Sequence, residues 1–391
     1  MDNIFSDRIT DVPRSFLREI LKVAISPDII SFAGGLPSRE HFPLEGIRSA
    51  TNKVFDTAGA DVLQYANSEG FIGLREWISQ RYQTKGLTVD PEDILITNGS
   101  QQGLDLIGKT MLNDGDGMII EEPGYLGAIQ AFSLYKTTFY PVPLHNNGID
   151  IDILSQTLKK HNPKLYYAVP NFQNPSGVTY DETNRQQVAD LLQPTRTMFI
   201  EDNPYGDLRF MGTDKPSFKT FLPDHTILLG SFSKIVVPAL RLGWIAAPSH
   251  IFEKLLIAKQ ASDLHTNSFG QHIVHQYLMD NDIDAHIAKI RHAYGIRRDA
   301  MISAIRDFFP KDIHHTAPEG GMFVWLTLPE SISAMDLFNR AIAQNVAFVP
   351  GYPFYIGRKD TNTLRLNFSC MDVKTIEIGI QRLANALKEM V

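Results

Sequence analysis

Between residues 94 and 245 the chain repeats one arrangement: a short apolar run, a polar or Gly/Pro-rich turn, then often a helical stretch. Ile94-Leu95-Ile96-Thr97 leads into Asn98-Gly99-Ser100-Gln101 and the helix-like QGLDLIGKTML. Met118-Ile119-Ile120 ends at Glu121-Glu122-Pro123-Gly124-Tyr125, and the run 165–169 ends at Pro170-Asn171-Phe172-Gln173-Asn174-Pro175. The run 197–200 ends at Glu201-Asp202-Asn203-Pro204-Tyr205, and Ile227-Leu228-Leu229 ends at Gly230 and SFSK. Near-continuous apolar strands separated by helices predict an α/β fold, with a mostly parallel (mixed) central sheet covered on both faces. Ligands of such sheets collect at the carboxyl ends of the strands, where every run here turns polar or aromatic.

Past residue 280 the texture changes. Helical spacing over 281–309 predicts one long helix or two, followed by strand-like segments at 321–328 and 362–369 and a closing amphipathic helix over 373–390. The expected organisation is a large domain over 46–285 and a smaller α+β domain over 286–391. Residues 1–45, with a helix-like stretch at 15–24, are expected to pack against the smaller one. With 37 Lys and Arg against 44 Asp and Glu, the net charge of −7 and the lack of a basic block argue against nucleic-acid binding. The single cysteine, Cys370, excludes an intrachain disulfide framework and a Cys-based zinc site. The N-terminus has acids and no apolar core of a signal peptide, and no apolar run reaches membrane-span length; a cytoplasmic protein is expected. His272 with His275, and His314 with His315, lack the acid and third ligand of a metal site, so no metal is expected.

Two cations interrupt the apolar stretch GSFSKIVVPALRLGW: Lys234 and, seven positions on, Arg241. An unpaired ammonium costs several kcal/mol to bury, so Lys234 reaches water, pairs with an acid, or is neutral and reactive. A desolvated lysine is the usual amine for bonding a carbonyl cofactor. Asp202, closing a strand, is either a turn residue or the carboxylate that pyridoxal phosphate chemistry needs against its ring nitrogen. Tyr205 either packs or donates to the phenolic oxygen of that ring. Gly99-Ser100-Gln101, at a strand-to-helix turn, is either a plain cap or an anion site. Ser231, Ser233 and Arg241 can add hydroxyls and a fixed charge to it, with the arginine bond (roughly 1.5–3 kcal/mol) outweighing a helix dipole (roughly 0.3–1 kcal/mol). Tyr125 can stack on a ring and Asn174 can bond a phenolic oxygen, or both serve their turns. In NTLRLNF, period-two alternation sets Arg365 and Asn367 opposite Leu364, Leu366 and Phe368. Arg365 then faces solvent or grips a substrate carboxylate. Phe32, Tyr352, Phe354 and Tyr355 line an apolar pocket or belong to core and loops.

Taken in order, NGSQQ, EEPGY, PNFQNPSG, EDNPYGDLRF, SFSK with Arg241 seven residues after its lysine, and NTLRLNFS resemble the fold-type I, class I/II aminotransferases. SFAGGLPSREHFP at 31–43 and SFLREILK at 15–22 are similar to the 2-aminoadipate and kynurenine aminotransferase subgroup. The resemblance implies an aspartate aminotransferase-like fold and pyridoxal 5′-phosphate as cofactor. It implies that Lys234 bonds the cofactor aldehyde, Asp202 pairs with the ring nitrogen, Tyr205 and Asn174 bond the ring hydroxyl, and Tyr125 stacks. Ser100, Gln101, Ser231, Ser233 and Arg241 would hold the phosphate, joined across a homodimer by Tyr65 of LQYANSEG. Arg365 and Asn174 would bind the substrate α-carboxylate near the Gly34-Gly35 backbone, and Arg18 would meet the substrate side chain. The family commonly has Pro-Gly-Leu-Arg where this chain has Pro238-Ala239-Leu240-Arg241, which raises the question of a backbone with φ > 0 at 239. The activity implied is ping-pong transfer of an amino group between amino acids and 2-oxo acids, with glutamate/2-oxoglutarate as the shared pair. The preferred donor stays open among 2-aminoadipate, aromatic and broad choices. The alternatives are β-elimination from cysteine conjugates or decarboxylation on the same scaffold. A non-catalytic ligand-sensing domain is the remaining alternative, disfavoured because the resemblance begins near residue 15.

Overall fold

The computed structural model describes residues 4–10, 12, 26 and 28–390. Strand β1 (Ile30–Ser31) comes first. The main sheet follows: β2 (Ile94–Asn98), β3 (Gly117–Glu122), β4 (Thr138–His145), β5 (Gly148–Ile149), β6 (Leu165–Ala168), β7 (Met198–Asp202), β8 (Thr226–Ser231) and β9 (Leu242–Ala246). The C-terminal part supplies β10 (His314–His315), β11 (Phe323–Thr327), β12 (Val346–Ala347), β13 (Val349–Pro350) and β14 (Thr363–Asn367).

The main sheet runs in the order β2-β9-β8-β7-β6-β3-β4-β5. From β8 through β7, β6 and β3 to β4 all pairings are parallel. β9 alone runs against both of its neighbours, β8 and β2, and β5 closes a hairpin on β4. The reversal at β9 has a simple cause. Residues 232–241, which join β8 to β9, include no helix, and a parallel return needs a crossover of roughly a dozen residues or more. Lys234 and Arg241 therefore sit together on one reversing loop.

Strand residues alternate between two apolar clusters. Ile120, Tyr167 and Ile200 face the larger cluster, while Ile119, Tyr166 and Phe199 face the second. The larger cluster continues without a break into Phe323, Leu364, Leu366 and Ile380 of the C-terminal part. There β10-β11-β14-β13 form an antiparallel sheet. β1 pairs in parallel with β12, Ile30 opposite Val346, so the N-terminal segment is tied to the C-terminal part. The helical spacing at 281–309 forms a single helix, Ile283–Phe308, capped by Asp282 accepting from Ala285 N. Its length is about 39 Å. It buries Ile287, Ile290, Tyr294 and Met301. Among the described residues no helix is long and apolar enough to cross a membrane.

One close approach sets the geometry around the strand ends. A Cβ at Gly243, on β9, would lie 2.7 Å from the backbone C of Gly99 and N of Ser100, and 2.8 Å from Gly230 O. Backbone cannot yield as a side chain does, so the start of helix Gly99–Met111 is pressed directly on β9. Gly243→Ala is expected to lower the urea unfolding free energy by about 1–3 kcal/mol. Gly270→Ala, whose nearest new contact is 3.6 Å away, should change it by less than about 1 kcal/mol.

Candidate active site

The carboxyl ends of β2, β3, β6, β7 and β8 open into a cavity of about 460 Å3, closed on its other side by Gly35 and Arg365. Ser100, Gln101, Tyr125, Asn174, Asp202, Tyr205, Ser231, Ser233, Lys234 and Arg241 all line it. These ten, with Gly35 and Arg365, are thus gathered around one space. Tyr65 is not in it. Tyr65 is 80% exposed, its ring edge-on to His265. Arg18 lies outside the described residues.

Asp202 ends β7 on the face of the larger cluster and is 2% exposed. Its Oδ2 accepts from Tyr167 Oη at 2.7 Å, while Oδ1 is buried without a hydrogen-bond partner among the described residues. Burial pushes its carboxyl up to about 7, against the pull of the Tyr167 hydroxyl. A buried acceptor with nothing to accept from is costly, and it fits a donor supplied by a ligand. Tyr167 was not foreseen; its only sequence signal is its place on β6, two residues after Leu165 on the same strand face.

Lys234 leaves the β8–β9 loop partly buried, and its Nζ donates to Gly35 O at 2.9 Å. Burial lowers its ammonium to about 8, and the Arg365 and Arg241 guanidiniums push the same way, with the Cys370 thiol opposing them. Of the three readings open for this lysine, it is the desolvated amine that the geometry favours: among the described residues no carboxylate bonds it.

Arg365 is 2% exposed on β14, where both faces are buried, which rules out the solvated reading. It spans the molecule. Nη1 donates to Asn174 Oδ1 at 2.8 Å and Nη2 to Ala33 O at 2.7 Å. Its guanidinium lies 4.4 Å from the Phe323 ring centroid and 5.3 Å from that of Phe354, and Nε has no partner. Burial holds its pKa at about 10. Phe354 lines the cavity, whereas Phe32 is fully buried in the core. Asn174 Nδ2 in turn donates to Tyr205 Oη at 3.3 Å, which leaves the tyrosine hydrogen free to point elsewhere. Burial pushes the Tyr205 hydroxyl upward, and that of Tyr125 up to about 12, so both stay protonated at neutral pH.

At the opposite end, helix Gly99–Met111 begins without a side-chain cap. The natural cap, Asn98, instead donates through Nδ2 to Asp263 at 2.7 Å. Asp263 also accepts from Gln102 Nε2 at 2.7 Å and is paired with buried Lys259. The first backbone N–H groups of the helix therefore face the cavity uncapped, a ready anion site. A Cβ at Gly99 (φ 72°) would stand 2.5 Å from Arg241 Nη2, so the guanidinium lies directly over this turn. Ser231 Oγ accepts from Ser233 N at 3.1 Å, keeping both serines turned inward. The strain anticipated at Ala239 falls elsewhere: Ala239 has ordinary φ, and Arg241 takes the left-handed φ of 53°.

The cavity thus offers an anion cradle, a buried acid lacking a donor, a depressed lysine and a buried arginine. This donor set fits pyridoxal phosphate, with a phosphate, a basic ring nitrogen and an aldehyde to place. The family of class I and II aminotransferases matches residues 27–383. Aromatic-amino-acid aminotransferase 1 of Thermococcus litoralis is 42% identical, over 99% of this chain and 95% of its own length. The 2-aminoadipate transaminase of Thermus thermophilus is 39% identical, over 96% of this chain and 94% of its own. The solved structure of a Pyrococcus horikoshii kynurenine aminotransferase in complex with PMP has a TM-score of 0.94 at 41% identity, covering 99% of this chain and 98% of that one. The chain belongs to the class I and II aminotransferases: it is a pyridoxal-phosphate-dependent transaminase of aspartate aminotransferase-like fold.

Proposed function

We propose that this chain moves the α-amino group of an aromatic or 2-aminoadipate-type amino acid to a 2-oxo acid, with glutamate/2-oxoglutarate as the shared pair. The observation that carries the reading is the unpartnered Oδ1 of Asp202 in the same cavity as the depressed Lys234. The choice of donors is supported by the activities of relatives near 40% identity.

In this reading Asp202 Oδ1 accepts from the ring nitrogen, Tyr205 and Asn174 serve the ring hydroxyl, and Tyr125 covers the ring face. Ser100, Gln101, Ser231, Ser233 and Arg241 hold the phosphate. When bound, pyridoxal phosphate supplies an aldehyde for amines and a ring that draws off the negative charge left when a carbon loses its proton. The chain supplies the rest. Arg365, held by Asn174 and Ala33, keeps N–H capacity for the substrate α-carboxylate, and the Gly35 backbone lies beside it. Once free of the cofactor, Lys234 Nζ takes the proton from the substrate Cα and returns it as general base and acid. A pKa about 8 keeps both forms populated near neutral pH. Tyr65 would act in the neighbouring copy of a homodimer. Its 80% exposure supports that, as do exposed Leu44, Leu63 and Met279 around the contacting segments Leu44–Ala58, Gly59–Leu63 and Ser268–Asp280. Arg18 keeps the side-chain role that the resemblance implies.

Holoenzyme mixed with L-glutamate and no oxo acid should give one half-turnover, seen as a shift of cofactor absorbance; continuous ammonia release would instead mean elimination. Lys234→Ala should lower turnover by at least about 1,000-fold, and a variant with full turnover would end this reading. Arg365→Lys should raise KM for the amino donor about 10- to 100-fold with a smaller change in kcat, because a point charge replaces a two-pronged donor.

Asp202→Asn should abolish activity yet stabilise the cofactor-free protein at pH 8. The folded pKa of Asp202, about 7, is raised above the ordinary 3.8, so its stability contribution is present below pH 4 and lost as pH rises through 7. The variant should gain on the order of 2–4 kcal/mol over wild type at pH 8, with the gap closing near pH 4; a urea series at the two pH values measures it.

A further inference from the structure

On the sheet face opposite Asp202, β3 buries a second carboxylate, Glu121, at 1% exposure. Both of its oxygens are engaged. Oε1 accepts from Val169 N at 3.2 Å and Tyr180 Oη at 2.8 Å, and Oε2 accepts from Gln173 Nε2 at 3.1 Å. The Gln173 amide has no freedom to turn over. Its Oε1 accepts from Ser176 N at 2.8 Å and Ser176 Oγ at 2.6 Å, and its Nε2 also donates to Pro123 O at 2.7 Å. Asn174 is the next residue along, and it meets both Arg365 and Tyr205.

We propose that Glu121 is a positioning residue for substrate-carboxylate recognition: by holding Gln173 it fixes the turn that presents Asn174 to Arg365. The inference rests on the reading of Arg365 and Asn174 as the carboxylate site. Three donors converge on two oxygens, and only a group with two acceptor oxygens serves them all. A glutamine at 121 has one. Its NH2 would face either Gln173 Nε2 or Val169 N, so one donor is left facing another donor. Burial pushes the Glu121 carboxyl up to about 7 while the Gln173, Tyr180 and Val169 donors pull it back, so the group is ionised at pH 8.

The test uses holoenzyme at pH 8 and glutarate, a carboxylate with no amino group to transfer, titrated against cofactor absorbance. KM and kcat for L-glutamate are measured in parallel. Glu121→Gln should weaken glutarate binding and raise KM about tenfold, with kcat within about threefold and cofactor affinity unchanged. If Glu121→Gln does not retain cofactor, Gln173→Glu alone, which opposes two acceptors, must show the same KM rise. Glutarate affinity unchanged in Glu121→Gln, or a KM for L-glutamate unmoved by Gln173→Glu, overturns the proposal while wild-type transamination leaves the function standing. Wild-type enzyme that neither transaminates nor binds glutarate removes both.

Discussion

A parallel sheet covered on both faces leaves polar groups only one route to a ligand, through the ends of its strands. β3, β6, β7 and β8 are buried along nearly their whole length; β3, β7 and β8 end on polar residues, and β6 leads into the turn that carries Asn171 and Asn174. The chemistry is therefore confined to one edge before any residue is chosen. The antiparallel β9 completes that edge. Because it returns directly from β8, it brings Lys234 and Arg241 to the same rim and presses the uncapped start of helix Gly99–Met111 beneath the arginine.

Around that rim the protein keeps charged groups partly or almost wholly buried. Asp202, Lys234 and Arg365 each have their ionised form disfavoured by burial, and each has hydrogen-bonding capacity left over. A fold selected for stability alone would satisfy these groups internally. Here the unfilled capacity is the binding energy available to a charged ligand. On the opposite sheet face, Glu121 and Arg185 behave differently. Glu121 is fully bonded, and Arg185 donates to Tyr180 O, Pro170 O, Pro216 O and Asn171 Oδ1. The bonds that Glu121 and Arg185 make behind the sheet hold the loop that carries Asn174, while the groups in front keep capacity for ligands.

Much of this was readable from the residues. The apolar runs foretold five strands of the main sheet, because burial on both faces demands continuous hydrophobicity. Motif order foretold the family, and the strand-end positions of Ser100, Asn174 and Asp202 foretold that they would meet. Tyr167 was missed because a tyrosine in an apolar run looks like packing until its hydroxyl is seen against a carboxylate. Arg365 could not be separated from a solvated arginine, since alternation along β14 says which residues share a face and not what covers that face. The question over Ala239 was resolved by the backbone, which moved the positive φ two residues on to Arg241.

By itself the sequence determined the α/β layering, the family and the set of reactive side chains, because periodicity and local motif chemistry are written in neighbouring residues. Only the tertiary structure decided which oxygen of Asp202 is left without a donor, which partners orient Arg365, and that Glu121 and Asp202 face opposite sides of one sheet. Those facts depend on contacts between residues as far apart as Ala33 and Arg365. Desolvation and hydrogen-bond satisfaction are properties of the packed whole, so no local pattern encodes them.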